Sequence, residues 1–304
     1  MNKKMTFTDY LFSLIFIFLL VCVVGAFFYG VQVGKKQTAE KYEKIIEEIR
    51  AEEHLLDGYH QQYLVSFYHT VFSPFREFQK QWFATMDLIE TGGHSRSGAT
   101  LMRELAELAE DKHKQINSVS MPETAPLLVD AQTNFLQSLK LFADAAKQTD
   151  LRGSGQALLD SINNSAYYRE AKGFGLEGIR KYYSAITSWN QTVESLPNAS
   201  LIEREDLSVA EWQELNLNLK NEFAAKWMAA NGQFADFHPQ DLVLRIDEMI
   251  VDGQAERMNL ERIGAIAATL VDTRAVRAGD FIAGKNKYYA AELLPQLPFF
   301  YAEP

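Results

Sequence analysis

The longest apolar run in the chain, Tyr10 to Val33, contains no charged residue and is bracketed by Lys3 and Lys4 before it and Lys35 and Lys36 after it. Rising ~1.5 Å per residue as a helix, it spans ~36 Å, enough to cross a hydrocarbon core of about 30 Å. The pattern predicts one transmembrane helix over residues 10–33 behind a short tail, residues 1–9. A secretory signal peptide has a shorter apolar region, roughly 7–15 residues, ending at small residues that this segment lacks. Cys22 would suit acylation after lipoprotein processing, but Val21 stands where that processing takes a small side chain.

Beyond the membrane the period changes. Tyr42, Ile45, Ile49 and Leu56 share one helical face while Glu40, Lys41, Glu43, Lys44, Glu47 and Glu48 occupy the others, predicting an amphipathic stalk over 34–58. Residues 59–90 are aromatic-rich, with Tyr63, Phe67, Phe75, Phe78 and Trp82 mostly three or four apart, and Pro74 is expected to kink or split that helix. After a glycine-rich break at 91–98, Leu101, Leu105, Leu108 and Ile116 mark a further helix. Ser120, Pro122 and Glu123 read as the capped start of the next. Leu128, Ala131, Phe135, Leu139, Phe142 and Ala146 then form the clearest stripe in the sequence. Ile179, Tyr182, Tyr183, Ile186 and Trp189 give another helical face, ending near Pro197.

The polar run 198–206 separates an expected helical bundle, 59–197, from a second helical subdomain, 198–304. There Ser208 and Glu211 form a capping-box pattern ahead of Trp212, Leu215, Leu219 and Phe223, with a stop at Asn231 and Gly232. Pro239 opens another helix, and Ile263, Ile266, Ala267 and Leu270 lie on one more. The terminal stretch from Leu294 to Tyr301, interrupted by Pro295 and Pro298, is not helical and is too apolar for a solvated tail. It is expected to pack on the body or on a partner. Nothing alternates at period two, so the fold class is all-α: an N-terminal transmembrane helix and stalk followed by an elongated helical bundle.

Composition narrows the partners. Forty acidic residues against 30 basic ones give a formal charge of -10 with no basic stripe, which argues against nucleic acid. Several motifs fail on context. Gly173-Phe174-Gly175-Leu176-Glu177-Gly178 spells the dinucleotide fingerprint without a preceding strand, and reads better as a flexible helix start. Gly93 to Thr100 is spaced like a phosphate loop, but Ala99 stands where the lysine belongs. Ser97 likewise spoils a hydrolase elbow in the same loop. Glu110 and His113 have di-iron spacing, with Asp57 and His60 a poor second pair, so a charged solvated face explains them better. No cofactor or metal set emerges. Asn163, Asn190 and Asn198 head N-x-[ST] triplets, meaningful only in a eukaryotic secretory route.

The remaining pattern with a physical use is in the membrane: Cys22, Ala26, Gly30 and Gly34 repeat a small residue every fourth position, spacing that lets two helices pack closely in lipid. Orientation arguments oppose one another. Basic residues are denser after the segment, which favours a cytoplasmic body, yet they are interleaved with glutamates and long domains translocate largely regardless of flank charge. With no cysteine after Cys22, the sequence favours an extracytoplasmic body. The resulting expectation is a single-pass cell-membrane protein with a non-catalytic binding or structural role in the envelope. Its partners would be the lipid bilayer, a second copy through the transmembrane helix, or an envelope protein. The alternatives are a sensory ectodomain acting through a membrane partner, or an enzyme whose site is scattered over several helices near Tyr63, Tyr68, Tyr182 or Tyr183.

Overall fold

The computed structural model describes residues 59–92, 97–148 and 155–301, all within one compact unit, Leu56–Pro304. The expected transmembrane helix, its Cys22, Ala26, Gly30 and Gly34 stripe, and the stalk lie outside the described residues. No helix among the described residues is long and apolar enough to cross a membrane. The body is all-helical, and the one β-bridge among these residues is the isolated pair Ser208 and Arg262.

The aromatic-rich segment folds as α1 (Gln61–Phe67), a π-helical turn (Tyr68–Phe72) and α2 (Ser73–Thr91), running into one another without a break. The break expected at Pro74 is absent. Proline has no amide to offer the carbonyl four residues back and its ring crowds that carbonyl. The widened π turn immediately before it takes up both defects, while the Thr70 hydroxyl donates to the Ser66 carbonyl at 2.8 Å. Gly92, at φ 65°, ends α2 in the left-handed conformation that only glycine adopts freely.

Helix α3 (Gly98–Asn117) starts at Ser97, whose hydroxyl accepts from the Thr100 amide. Helix α4 (Pro126–Gln148) begins later than the Ser120 cap predicts. Residues 121–125 form a turn, and one free amide of the first helical turn, Leu127, donates to the Tyr59 hydroxyl at 3.0 Å. A partner distant in sequence does the work expected of a local cap. Helix α5 (Gln156–Asn164) is short, and α6 (Ala166–Val193) is the longest described helix.

Helices α4 and α6 make the most extensive helix pairing of the unit. The predicted stripe Leu128, Ala131, Phe135, Leu139, Phe142 and Ala146 is buried throughout, as are Ile179, Tyr182, Tyr183, Ile186 and Trp189. The two glycines facing this seam allow the close approach. A Cβ on Gly178 would stand 2.7 Å from the Phe135 ring, and one on Gly175 would meet Phe75, Phe234 and Ser138 at 3.0 Å. The fingerprint glycines therefore sit in mid-helix, and their flexible-start reading is corrected: two of the three are spacers for helix packing.

After a 3-10 turn (Ala199–Glu203), the Ser208 and Glu211 capping box opens α7 (Val209–Gln213). The expected single helix is divided there, because Asn216 caps a separate α8 (Leu217–Ala230) by accepting from the Leu219 amide at 3.0 Å. Helices α9 (Pro239–Val251), α10 (Gln254–Arg257), α11 (Ile263–Asp272) and α12 (Asp280–Tyr288) complete the body. Helix α8 packs between α6 and α9, and α9 in turn carries α11 and α12. The terminal segment packs on this body: Leu294, Leu297, Phe299 and Phe300 are buried, the last two within a 3-10 turn, Pro298–Phe300.

Candidate functional site

The residue spacing of the π turn and α2 sets up one wall of a cavity. Tyr68, Phe72, Arg76 and Lys80 recur at four-residue steps through the π turn and α2, so they share a face, and all four line a cavity of about 650 Å³. The opposite walls come from far along the chain: Asp236 to Asp241 at the start of α9, Ala278 to Ile282 at the start of α12, and Pro298, Phe299 and Tyr301 of the terminal segment.

Aromatic packing builds the apolar wall. Phe299 lies with its ring centroid 5.6 Å from Tyr68, 5.7 Å from Phe72 and 5.5 Å from His238, the last nearly parallel at 17°. The terminal segment is fixed there by polar bonds as well. Gln240 Nε2 donates to the Phe299 carbonyl at 3.3 Å, and Lys285 Nζ donates to the Phe300 carbonyl at 3.0 Å while lying 3.8 Å over the Tyr301 ring. Behind the wall, the Tyr183 hydroxyl donates to Gln240 Oε1 at 2.5 Å and the Tyr182 hydroxyl to the Leu64 carbonyl at 3.0 Å. Burial holds both phenols well above their usual titration range.

The polar wall is built from backbone as much as side chain. Asp241, in the first turn of α9, accepts from the His238 amide at 2.8 Å and from the Phe281 amide of α12 at 2.9 Å, joining two helix starts through one carboxylate. Burial outweighs those donors and raises its pKa to about 6. The His238 imidazole is held well below its ordinary pKa by desolvation and then by the Arg76 cation, so it is neutral at pH 7; its Nδ1 is buried with no hydrogen-bond partner among the described residues. Arg76 donates to Gln79 Oε1 at 2.7 Å and to the Asp236 carbonyl at 2.5 Å. Its desolvation lowers the guanidinium pKa without removing the charge.

A second buried cluster lies between α7, α8, α9 and the end of α12. Asp247 accepts from Trp212 Nε1 at 2.6 Å, from the Tyr289 hydroxyl at 2.5 Å and from Lys220 Nζ at 2.9 Å. Lys220 also lies 5.3 Å from the Trp212 ring centre. This network is closed and satisfied, which suits a fastener joining helices. Beside it, Asn190 Oδ1 accepts from Asn216 at 2.8 Å and Asn218 at 3.0 Å, tying α6 to the start of α8.

The sequence-derived candidates fall in different places. Of the four tyrosines, Tyr68 lines the cavity and Tyr183 stands one hydrogen bond behind it through Gln240, while Tyr63 and Tyr182 are core residues. Glu110 pairs with Lys147 on the surface. Among the described residues no group of three or more metal-ligating side chains of His, Cys, Asp or Glu comes together. Asp57 and residues 93–96 of the glycine-rich loop lie outside the described residues, and Ser97 serves as a helix cap. Asn190 is fully buried, so the native fold denies that triplet to a glycosylating enzyme. Sequence reasoning did not find Arg76, His238, Asp241 or Phe299. The signals present were an acid three residues after His238 and an aromatic pair inside a proline-flanked tail.

Comparison of the chain with protein-family models, with curated proteins and with solved structures finds no match in any of the three.

Proposed function

We propose that this chain is a single-pass, membrane-anchored binding protein of the cell envelope, with the helical body extracytoplasmic and the α2–α9 cavity as its ligand site. The observation that carries the binding role is that cavity: about 650 Å³ of space, inside the roughly 300–1,000 Å³ range of small-molecule sites, with an aromatic wall facing a few convergent polar groups. The uncharged segment Tyr10 to Val33 carries the anchor. A non-catalytic role fits the polar groups. Asp241 is occupied by two amides, His238 is neutral, and neither is hydrogen-bonded to a nucleophile among the described residues.

Native mass spectrometry of full-length protein extracted in mild detergent from its own membranes tests the binding role. The expected result is a stoichiometric small-molecule adduct, lost in Ala278→Trp, which fills the cavity rim; a mass equal to the bare chain in both would refute it. For topology, a Cys22→Ser, Gln191→Cys variant in intact cells is expected to react with an impermeant maleimide. Protection until lysis would place the body inside and remove the envelope assignment.

A further inference from the structure

From Arg76 and the aromatic wall facing it we infer that the cavity takes a small organic anion, an aromatic monocarboxylate: the guanidinium holds the carboxylate and the ring lies along Tyr68, Phe72 and Phe299. The inference rests on the cavity being a ligand site and adds the ligand's chemical class.

The charge arrangement carries it. Arg76 anchors the loop before α9, but both of its protein acceptors are neutral, the Gln79 amide oxygen and the Asp236 carbonyl. None of the ion pairs among the described residues involves Arg76. Asp241 and Asp236 act on this half-buried guanidinium without forming an ion pair with it, so an arriving carboxylate could make the direct charge-assisted contact that neither of them makes. The carboxylates of the cavity are mostly committed elsewhere: Glu77 pairs with Lys112, and both oxygens of Asp241 are taken by backbone amides. Lys80, exposed at the rim and in no ion pair among the described residues, supplies a second positive charge on the same helix face.

The remaining wall selects the rest of the molecule. Tyr68, Phe72 and Phe299 have ring centroids 5.6 to 6.1 Å from one another and form one apolar surface, completed by Ile282 and Pro298. An aliphatic chain would fit less specifically than a flat ring, which can take offset or edge-on contacts with several of these partners. The Asp236 carboxylate at the rim disfavours a dianion such as phosphate, leaving a single negative charge as the best match to Arg76 and Lys80.

Isothermal titration of the full-length protein in detergent with 2-naphthoate, its neutral carboxamide, hexanoate and inorganic phosphate tests the class. The expected result is 1:1 binding of 2-naphthoate, with the other three weaker by roughly tenfold or more. Arg76→Gln should remove that preference, Arg76→Lys should restore part of it, and Lys80→Gln, at an exposed position, should weaken the naphthoate while leaving the thermal melt unchanged. Naphthamide binding as tightly as naphthoate would overturn the anionic class while keeping the cavity as a binding site. Phosphate or hexanoate binding best would overturn the aromatic monocarboxylate. Failure of all four probes to bind protein with a wild-type melt would also overturn it, with the adduct measurement above deciding separately whether the cavity binds anything.

Discussion

The closeness of α4 and α6 gives the sharpest quantitative expectation. An alanine methyl at 178 would lie 2.7, 2.8 and 3.0 Å from Cε1, Cδ1 and Cζ of Phe135. That ring is fully buried and packed on Phe67, Phe72 and Phe75 at centroid distances of 6.3, 6.0 and 4.3 Å, so it cannot swing away without displacing the rest of the aromatic core. Overpacking of this kind costs about 1–3 kcal/mol, and alanine's better helix propensity returns roughly 1 kcal/mol. With three ring carbons at 3.0 Å or closer, the upper part of that range, about 2–3 kcal/mol, applies, so Gly178→Ala should lose about 1–2 kcal/mol net, lowering Tm by about 2–8 °C for a unit of this size. Gly173 on the same helix has nothing within 4 Å of its would-be Cβ, so Gly173→Ala gains propensity alone and should raise Tm by about 1–4 °C. Circular-dichroism melts of the full-length protein in detergent measure both. The reasoning is refuted if Gly178→Ala melts at or above wild type, or if Gly173→Ala is equally damaging. Phe135→Leu combined with Gly178→Ala should cost less than the separate losses predict, because the smaller side chain vacates the contested space.

Three further expectations can be checked. Asp247→Ala leaves Lys220 buried without its carboxylate and should cost about 3–5 kcal/mol by urea titration; a loss below about 1 kcal/mol would show the network to be dispensable. Asp241 binds a proton more readily when folded, its pKa rising from 3.8 to about 6. Between those values the native state holds more protons than the unfolded one, so this group's contribution to stability falls as pH rises from about 4 to about 6, by up to about 3 kcal/mol. The stability difference between wild type and Asp241→Asn, followed by urea midpoints across that window, should change accordingly, and a constant difference would count against it. For the proposed transmembrane segment, Gly30→Leu should abolish self-association of the isolated residues 10–33 in a bacterial two-hybrid reporter, and an unchanged signal would dispose of the small-residue contact.

How much of this was legible depended on how far each interaction reaches along the chain. The α4 stripe was readable because its burial repeats the helical period, and the Ser208 and Glu211 cap because its partners are three residues apart. The start of α4 was misplaced because its amide finds Tyr59 rather than Ser120. The division between α7 and α8 was missed because Leu215 and Leu219 keep an apolar spacing across Asn216, which caps a new helix. Gly175 and Gly178 imitated a nucleotide motif because any close backbone approach selects the same residue. The cavity was invisible for a simpler reason: Arg76, Asp241 and Phe299 belong to three distant segments, and no local pattern joins them.

The π turn at Tyr68–Phe72 also fixes the phase of the first helix. A π turn amounts to one residue more than an α-helix needs, and one residue is about 100° of rotation. Shortening the turn by a single residue would leave α2 and its Arg76 in place but revolve everything before it, carrying Tyr68 off the cavity face and detaching Tyr63 and Leu64 from the core. The turn before the proline thus ties the shape of the cavity wall to the angular setting of α1, and an insertion or deletion there is a change of aim rather than of length.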